Sequence, residues 1–95
     1  MANYELSADA EDDIRRLYRF GIENFGLAQA DSYFDGLFAR FDRLAEDPFL
    51  YRAVDEIREG YRRSVYGVHS IYYRLVDNRV EIMRVLGRED PSILP

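Results

Sequence analysis

The chain has 95 residues, of which 47% are hydrophobic and 33% charged, and a net charge of −5. That size allows one domain, residues 1–95, with a single modest core, and that composition is one of folded rather than disordered chains. With no cysteine and no apolar run near the roughly 20 residues that span a bilayer, disulfides, thiolate chemistry and a membrane partner are excluded; no leader is legible, and a reducing cytoplasm is the expected compartment.

Asn3 to Leu6 alternates apolar with polar residues and reads as an edge strand. Ser7 follows as an N-cap, and Asp9, Glu11, Asp12 and Asp13 place negative charge on the first helical turns, where the macrodipole favours it. Ile14, Leu17, Tyr18, Gly21, Ile22 and Phe25 recur at helical spacing as one face, and Gly26 closes the helix where a left-handed residue is wanted. A second helix begins at Leu27 or Ala28. Its stripe is Ala30, Tyr33, Phe34, Leu37, Phe38, Phe41, Leu44 and Ala45, and Asp47-Pro48 stops it. So short a connection makes the two helices an antiparallel hairpin.

Phe49 to Ile57 reads either as a short strand around Tyr51 to Val54 or as a loop leading to Glu59-Gly60. Tyr61 to Tyr66, His69 to Val76 and Arg79 to Leu86 are rich in β-branched and aromatic residues. A break at Gly67 separates the first two, and Asp77-Asn78 suits the positive-φ positions of a type I′ turn between the last two. Three antiparallel strands result, His69 to Val76 in the centre. Residues 89–95 carry Pro91 and Pro95 and read as an irregular tail. The fold class is α+β: an N-terminal strand and an antiparallel helical hairpin packed on one face of a small antiparallel sheet.

Charge is unevenly spread. Residues 1–59 hold seven arginines against fourteen acidic groups, a balance of −7, whereas residues 60–88 hold six arginines against Asp77 and Glu81, a balance of +4. The strand region is a basic footprint on an acidic body, suited to an anionic partner. Alternation puts Arg62 with Ser64 and Tyr66, Arg63 with Tyr61 and Val65, and Arg74 with Ser70 and Tyr72. Arg84 falls on the apolar face of Val80, Ile82 and Leu86, where an unpaired charge is costly; its partner is either a carboxylate from the helices, the preferred reading, or an external anion. His69, the sole histidine, has no legible nucleophile or second acid, and without cysteine no metal site or cofactor is expected. The second helix carries more aromatic surface (Tyr33, Phe34, Phe38, Phe41) than a core this small buries alone, which marks a partner groove.

The strand segment also resembles the ParE branch of the ParE/RelE toxin superfamily. The matching residues are Gly60-Tyr61-Arg62-Arg63, His69-Ser70-Ile71-Tyr72-Tyr73-Arg74, and Val80-Glu81-Ile82-Met83-Arg84-Val85-Leu86 followed by Gly87-Arg88-Glu89-Asp90. Length and element order fit as well. The resemblance implies the RelE/ParE-like fold and the toxin component of a type II toxin–antitoxin module. RelE-like members cut mRNA in the ribosome, ParE-like members poison DNA gyrase, and both are silenced by an antitoxin that wraps them with a helix and a strand.

Here the nuclease branch's middle-strand arginine is replaced by Ser70, and its terminal tyrosine falls near Leu94. Many ParE chains carry a histidine after the last strand, where this one reads Leu86-Gly87. The expectation is a non-enzymatic gyrase inhibitor with no catalytic residues and no sequence-specific reading of nucleic acid. Its ParD-like antitoxin would dock on Tyr18, Phe34, Phe38, Phe41, Arg62 and Arg63, leaving Arg74, Arg84 and Arg88 as candidate contacts to the target. The alternatives are a ribosome-dependent endonuclease using Arg62, Arg88 and His69, or an inactive antitoxin-binding module.

Overall fold

The computed structural model describes residues 3–87 and 94. The elements run β1 (Tyr4–Leu6), α1 (Ala8–Phe25), α2 (Leu27–Glu46), β2 (Tyr61–Tyr66), β3 (His69–Val76) and β4 (Arg79–Leu86). Local chemistry sets their ends as the sequence predicts. Ser7 is extended and its Oγ accepts the Ala10 N–H at 3.0 Å, capping α1. Gly26, at φ 89°, both ends α1 and starts α2, so the helices fold back on one another. Asp77 and Asn78 sit at φ 53° and 64°, the two left-handed positions of the β3–β4 turn.

The sheet order is β1-β4-β3-β2. β2, β3 and β4 form the expected antiparallel meander, whereas β1 pairs parallel with β4, Tyr4 opposite Val80 and Leu6 opposite Ile82. The sheet is therefore mixed, because everything from the helical hairpin to β3 lies between these two strands and serves as the crossover a parallel pair needs. The 49–57 segment forms turns and one bridge, Ala53 to Arg62, against β2.

Phe34, Leu37, Phe41 and Leu44 of α2 pack on Ile71, Tyr73, Val80, Ile82 and Val85 in the main core. Tyr73 is fully buried there and donates to the Pro48 carbonyl at 2.7 Å, tying β3 to the end of α2. The face away from the helices is not bare. Val54, Tyr61, Tyr72, Met83, Leu86 and Leu94 form a second cluster, and Arg58 donates to the Leu94 carbonyl at 2.7 Å. The irregular tail expected over residues 89–95 otherwise lies outside the described residues.

A register shift explains how β4 feeds both clusters. Tyr72 pairs with Arg84 but Tyr73 pairs with Ile82, so Met83 is one extra residue on β4. The bulge turns Met83 and Leu86 to the far side and takes Arg84 off the Ile82 face, which corrects the face predicted from strict alternation. Of the two partners the sequence leaves open for Arg84, the structure supplies the helical carboxylate. Its Nε lies 2.8 Å and its Nη2 2.9 Å from Asp13 of α1, and the Val85 N–H donates to Asp13 Oδ2 at 2.9 Å. β1 covers β4 only as far as Ile82. Beyond it the Ser7 hydroxyl donates to the Met83 carbonyl at 2.8 Å and Asp13 takes the next free N–H. The other edge is guarded too, by Arg52–Val54 along the start of β2 and by Arg40, which donates to the Val65 carbonyl at 2.8 Å.

Replacing Asp13 with Ala leaves a largely buried guanidinium and a buried amide without that carboxylate. The expected loss is about 3 kcal/mol or more, read from urea unfolding, with Asp13→Asn losing less. Burial pushes the Tyr73 phenol up to about 12. The unfolded chain, with an ordinary phenol near 10, releases this proton first, so stability present below pH 10 falls between pH 10 and 12. Tyr73 alone contributes a slope of at most about 1.4 kcal/mol per pH unit. Unfolding at pH 9, 10.5 and 12 measures it, and a flat profile contradicts it.

Candidate functional site

Three arginines are fixed along β2 by neutral acceptors instead of carboxylates. Arg62 donates to the Tyr51 carbonyl at 2.7 Å and lies over the Phe49 ring at 4.8 Å. Arg63 donates through Nε to Ser70 Oγ at 2.9 Å. Arg40 reaches across from α2 to Ser64 Oγ and the Val65 carbonyl, both at 2.8 Å, with its guanidinium between the rings of Tyr51 and Tyr66. All three are half-buried, and among the described residues none has a carboxylate within 4.0 Å. Each charge is thus positioned but not neutralised, with Phe49, Leu50, Val65 and Val68 exposed nearby in sequence. An acidic partner would meet guanidiniums already ordered, which lowers the entropy cost of a charge-assisted bond.

Sequence reading anticipates Arg62 and Arg63 but not Arg40. Its position on α2, outside the apolar stripe, makes it look like an ordinary solvated charge. Only the packing of α2 over β2 brings it to Ser64, 24 positions away. The glycine pattern offers a partial signal. A Cβ on Gly36 would stand 1.9 Å from the Tyr66 hydroxyl and one on Gly67 2.5 Å from that of Tyr33, so both positions let α2 close onto β2. There Tyr33 and Tyr66 each donate to the other's backbone carbonyl at 3.0 Å.

The other arginines separate by partner. Arg74 is engaged by Glu81, Nε to Oε1 at 2.9 Å, and Arg84 by Asp13, so these two candidates for target contact each have a carboxylate partner within the fold. Arg88 lies outside the described residues. His69 sits at the start of β3 with Nδ1 2.7 Å from the Tyr33 hydroxyl, a tie to α2. Among the described residues no group of three or more acidic or imidazole side chains could hold a metal ion.

The aromatic stripe divides likewise. Phe34 and Phe41 are 7% and 0% exposed and belong to the core, so neither offers the partner surface expected of it. The sheet's helix-facing side is wide enough to take both. Phe38, 36% exposed and edge-on to Phe41, and half-buried Tyr18, edge-on to Phe34, remain at the surface. Phe25, placed on the apolar face of α1 by its spacing, is instead 60% exposed at the helix end.

Residues 4–91 match the family profile described as ParE toxin of type II toxin-antitoxin system, parDE. The chain belongs to the ParE toxin family. Toxin ParE1 of Caulobacter vibrioides is 37% identical over 86 residues, covering 90% of this chain and 88% of that protein. Toxin ParE1 of Mycobacterium tuberculosis is 34% identical over 86 residues with the same coverage. A solved structure described as a chromosomal ParDE TA system from P. aeruginosa superposes with a TM-score of 0.80 at 15% identity, covering 94% of this chain and 98% of that one, which shows the shared fold. No helix among the described residues of this ParE-family toxin is long and apolar enough to cross a membrane.

The two halves of the aromatic stripe should separate by mutation. Phe41→Asp buries a charge in the main core and should lose about 4 kcal/mol or more. Phe38→Asp should stay folded with a loss near about 1 kcal/mol. Thermal unfolding of both variants checks this, and equal losses would place Phe38 in the core as well.

Proposed function

We propose that this ParE-family toxin inhibits DNA gyrase without catalysing a reaction, and that a ParD-like antitoxin neutralises it. The antitoxin sets carboxylates on Arg40, Arg62 and Arg63 and covers Tyr18 and Phe38. The observation that carries the neutralisation is the row of ordered guanidiniums without carboxylates along β2. Leaving half-buried cations unpaired on a chain of net −5 is a costly arrangement, and an acidic partner relieves it.

The non-catalytic reading draws on the state of the residues a nuclease would use. Arg62 is held by Tyr51 and Phe49, His69 is tied to Tyr33, and Ser70 is buried beneath Arg63. No pair among them forms an acid and a base flanking an open site, which general acid–base cleavage of RNA requires. The net negative charge also forfeits the counterion-release attraction that favours binding to ribosomal RNA. Gyrase itself is supported by family membership alone.

Pulse-labelling of DNA and protein synthesis just after induction tests the target. DNA synthesis should fall first. An immediate block of translation would favour the endonuclease instead, and no change in cells holding folded protein would leave an antitoxin-binding module. The antitoxin surface has its own test. Arg40→Ala and Arg62→Ala with Arg63→Ala should each weaken the complex at least about tenfold, with slower association at higher salt. Unchanged affinity would remove β2 from the interface.

A further inference from the structure

Aromatic rings and guanidiniums alternate where β2 meets α2. Arg62 lies over the Phe49 ring at 4.8 Å and donates to the Tyr51 carbonyl, and Arg40 lies 5.4 Å from the Tyr51 ring and 5.5 Å from the Tyr66 ring. Tyr33 stands 4.9 Å beyond Tyr66, and the two tyrosines each donate to the other's carbonyl, which fixes that end of the series on α2. Arg40 and Arg62 are each held through Nη1 alone. Among the described residues no acceptor takes their Nε and Nη2 protons. Phe49 is 67% exposed, so Arg62 covers its ring on one face only. The series Phe49, Arg62, Tyr51, Arg40, Tyr66 therefore sets ordered N–H donors between flat apolar faces.

We propose that this ladder binds a single strand of nucleic acid, with phosphates on the Nε and Nη2 edges of Arg40 and Arg62 and an unpaired base on Phe49. A planar N–H fork matches a phosphodiester, and every base has a face that stacks on a ring. A carboxylate-bearing chain would use the cations and leave the Phe49 ring bare. A duplex would offer phosphates but no base face, because its bases are already stacked on one another. Nothing in such a contact reads base identity. Arg63 stands apart: alternation puts it with Tyr61, on the sheet face opposite to Arg62, and its bond goes to Ser70. The net charge of −5 removes any broad attraction, and Asp42 and Glu46 share an open cleft with Arg40 and Tyr66 on the α2 side. The strand is thus turned along the ladder toward Phe49, and its contact is local. The inference rests on the reading of β2 as a site for anions and deepens it, because phosphates and antitoxin carboxylates would compete for the same guanidiniums.

Fluorescence anisotropy of the full chain tests this with labelled oligo(dT) and oligo(U) of about 12 nucleotides and a duplex of the same length. Both single strands should bind, and the duplex should bind at least about tenfold more weakly. Two phosphate contacts give a slope of about −1.4 in log K against log salt, a loss of about sevenfold between roughly 50 and 200 mM. Arg40→Ala and Arg62→Ala should each flatten that slope by about 0.7, whereas Phe49→Ala should weaken binding about tenfold at an unchanged slope and Phe49→Trp should preserve it. Two controls, Arg63→Ala with the same loss of charge and Phe25→Ala at an exposed ring elsewhere, should each change affinity less than about twofold. Because Phe49 is exposed, its variants keep the test decisive if an arginine variant unfolds. A preference between the two single strands would support the inference and name the strand it takes. Equal binding of the duplex, equal losses in Arg63→Ala and Arg40→Ala, or binding of no probe would overturn it. An antitoxin complex weakened through Arg63 as well as Arg40, with no oligonucleotide bound, would leave the neutralisation standing, so the two failures are distinct.

Discussion

The Asp13 carboxylate holds the parts of this domain together. It takes both a bidentate contact from Arg84 and the N–H of Val85, 71 and 72 positions away, at distances of 2.8 to 2.9 Å. With Ser7, which caps α1 and bonds to Ile82 and Met83, it fastens the start of the helical hairpin to the middle of β4. β1 is three residues long and could not alone carry the sheet edge past the bulge. Asp13 continues the pairing with a side chain. That fixes α1 on the sheet, Gly26 then fixes α2 against α1, and α2 in turn delivers Arg40 to β2. The pair is nearly buried, Asp13 at 4% and Arg84 at 16% side-chain exposure, so it acts mainly as a specifying contact: either partner alone is costly there.

The bulge at Met83 does the complementary work on the other face. A regular β4 would send Val80, Ile82, Arg84 and Leu86 to the helices and turn Val85 to the far side with Arg79, Glu81 and Met83. One inserted residue lets Val80, Ile82 and Val85 serve the main core while Met83 and Leu86 serve a second one with Tyr61, Tyr72 and Leu94. A 95-residue chain thereby buries both faces of its sheet. The aromatic load of α2 that looked excessive for one core is largely absorbed, while Phe20, Phe25, Phe38 and Phe49 stay exposed and Tyr18 half-buried.

Electrostatically the molecule is two-sided. The outer flank of α2 bears Asp31, Asp35 and Asp42, while the β2 side bears Arg40, Arg62 and Arg63 on neutral acceptors. Neither set cancels the other, since among the described residues none of these aspartates lies within 4.0 Å of an arginine nitrogen and solvent screens longer-range attraction. On the neutralisation proposed above, the ordered guanidiniums along β2 favour recognition by charge over one large apolar interface. Charged rims speed encounter and discriminate partners more than they add affinity.

Much of the fold was legible because its signals are local. Ser7, Gly26, Gly67 and Asp77-Asn78 dictate backbone angles within a few residues, and the strands from Tyr61 to Leu86 fall where alternation and turn chemistry put them. The need of Arg84 for an anionic partner was also readable, since a charge among apolar strand residues demands one. Which carboxylate was not, nor was the side of the sheet, because a bulge changes facing without changing composition. Arg40 and the burial of Phe34 and Phe41 depended likewise on how α2 lies across the sheet. Local chemistry settles the elements, their order and the sign of charge in each segment; only the packing settles which charges meet an opposite charge and which rest on neutral acceptors, because that depends on distances between residues tens of positions apart.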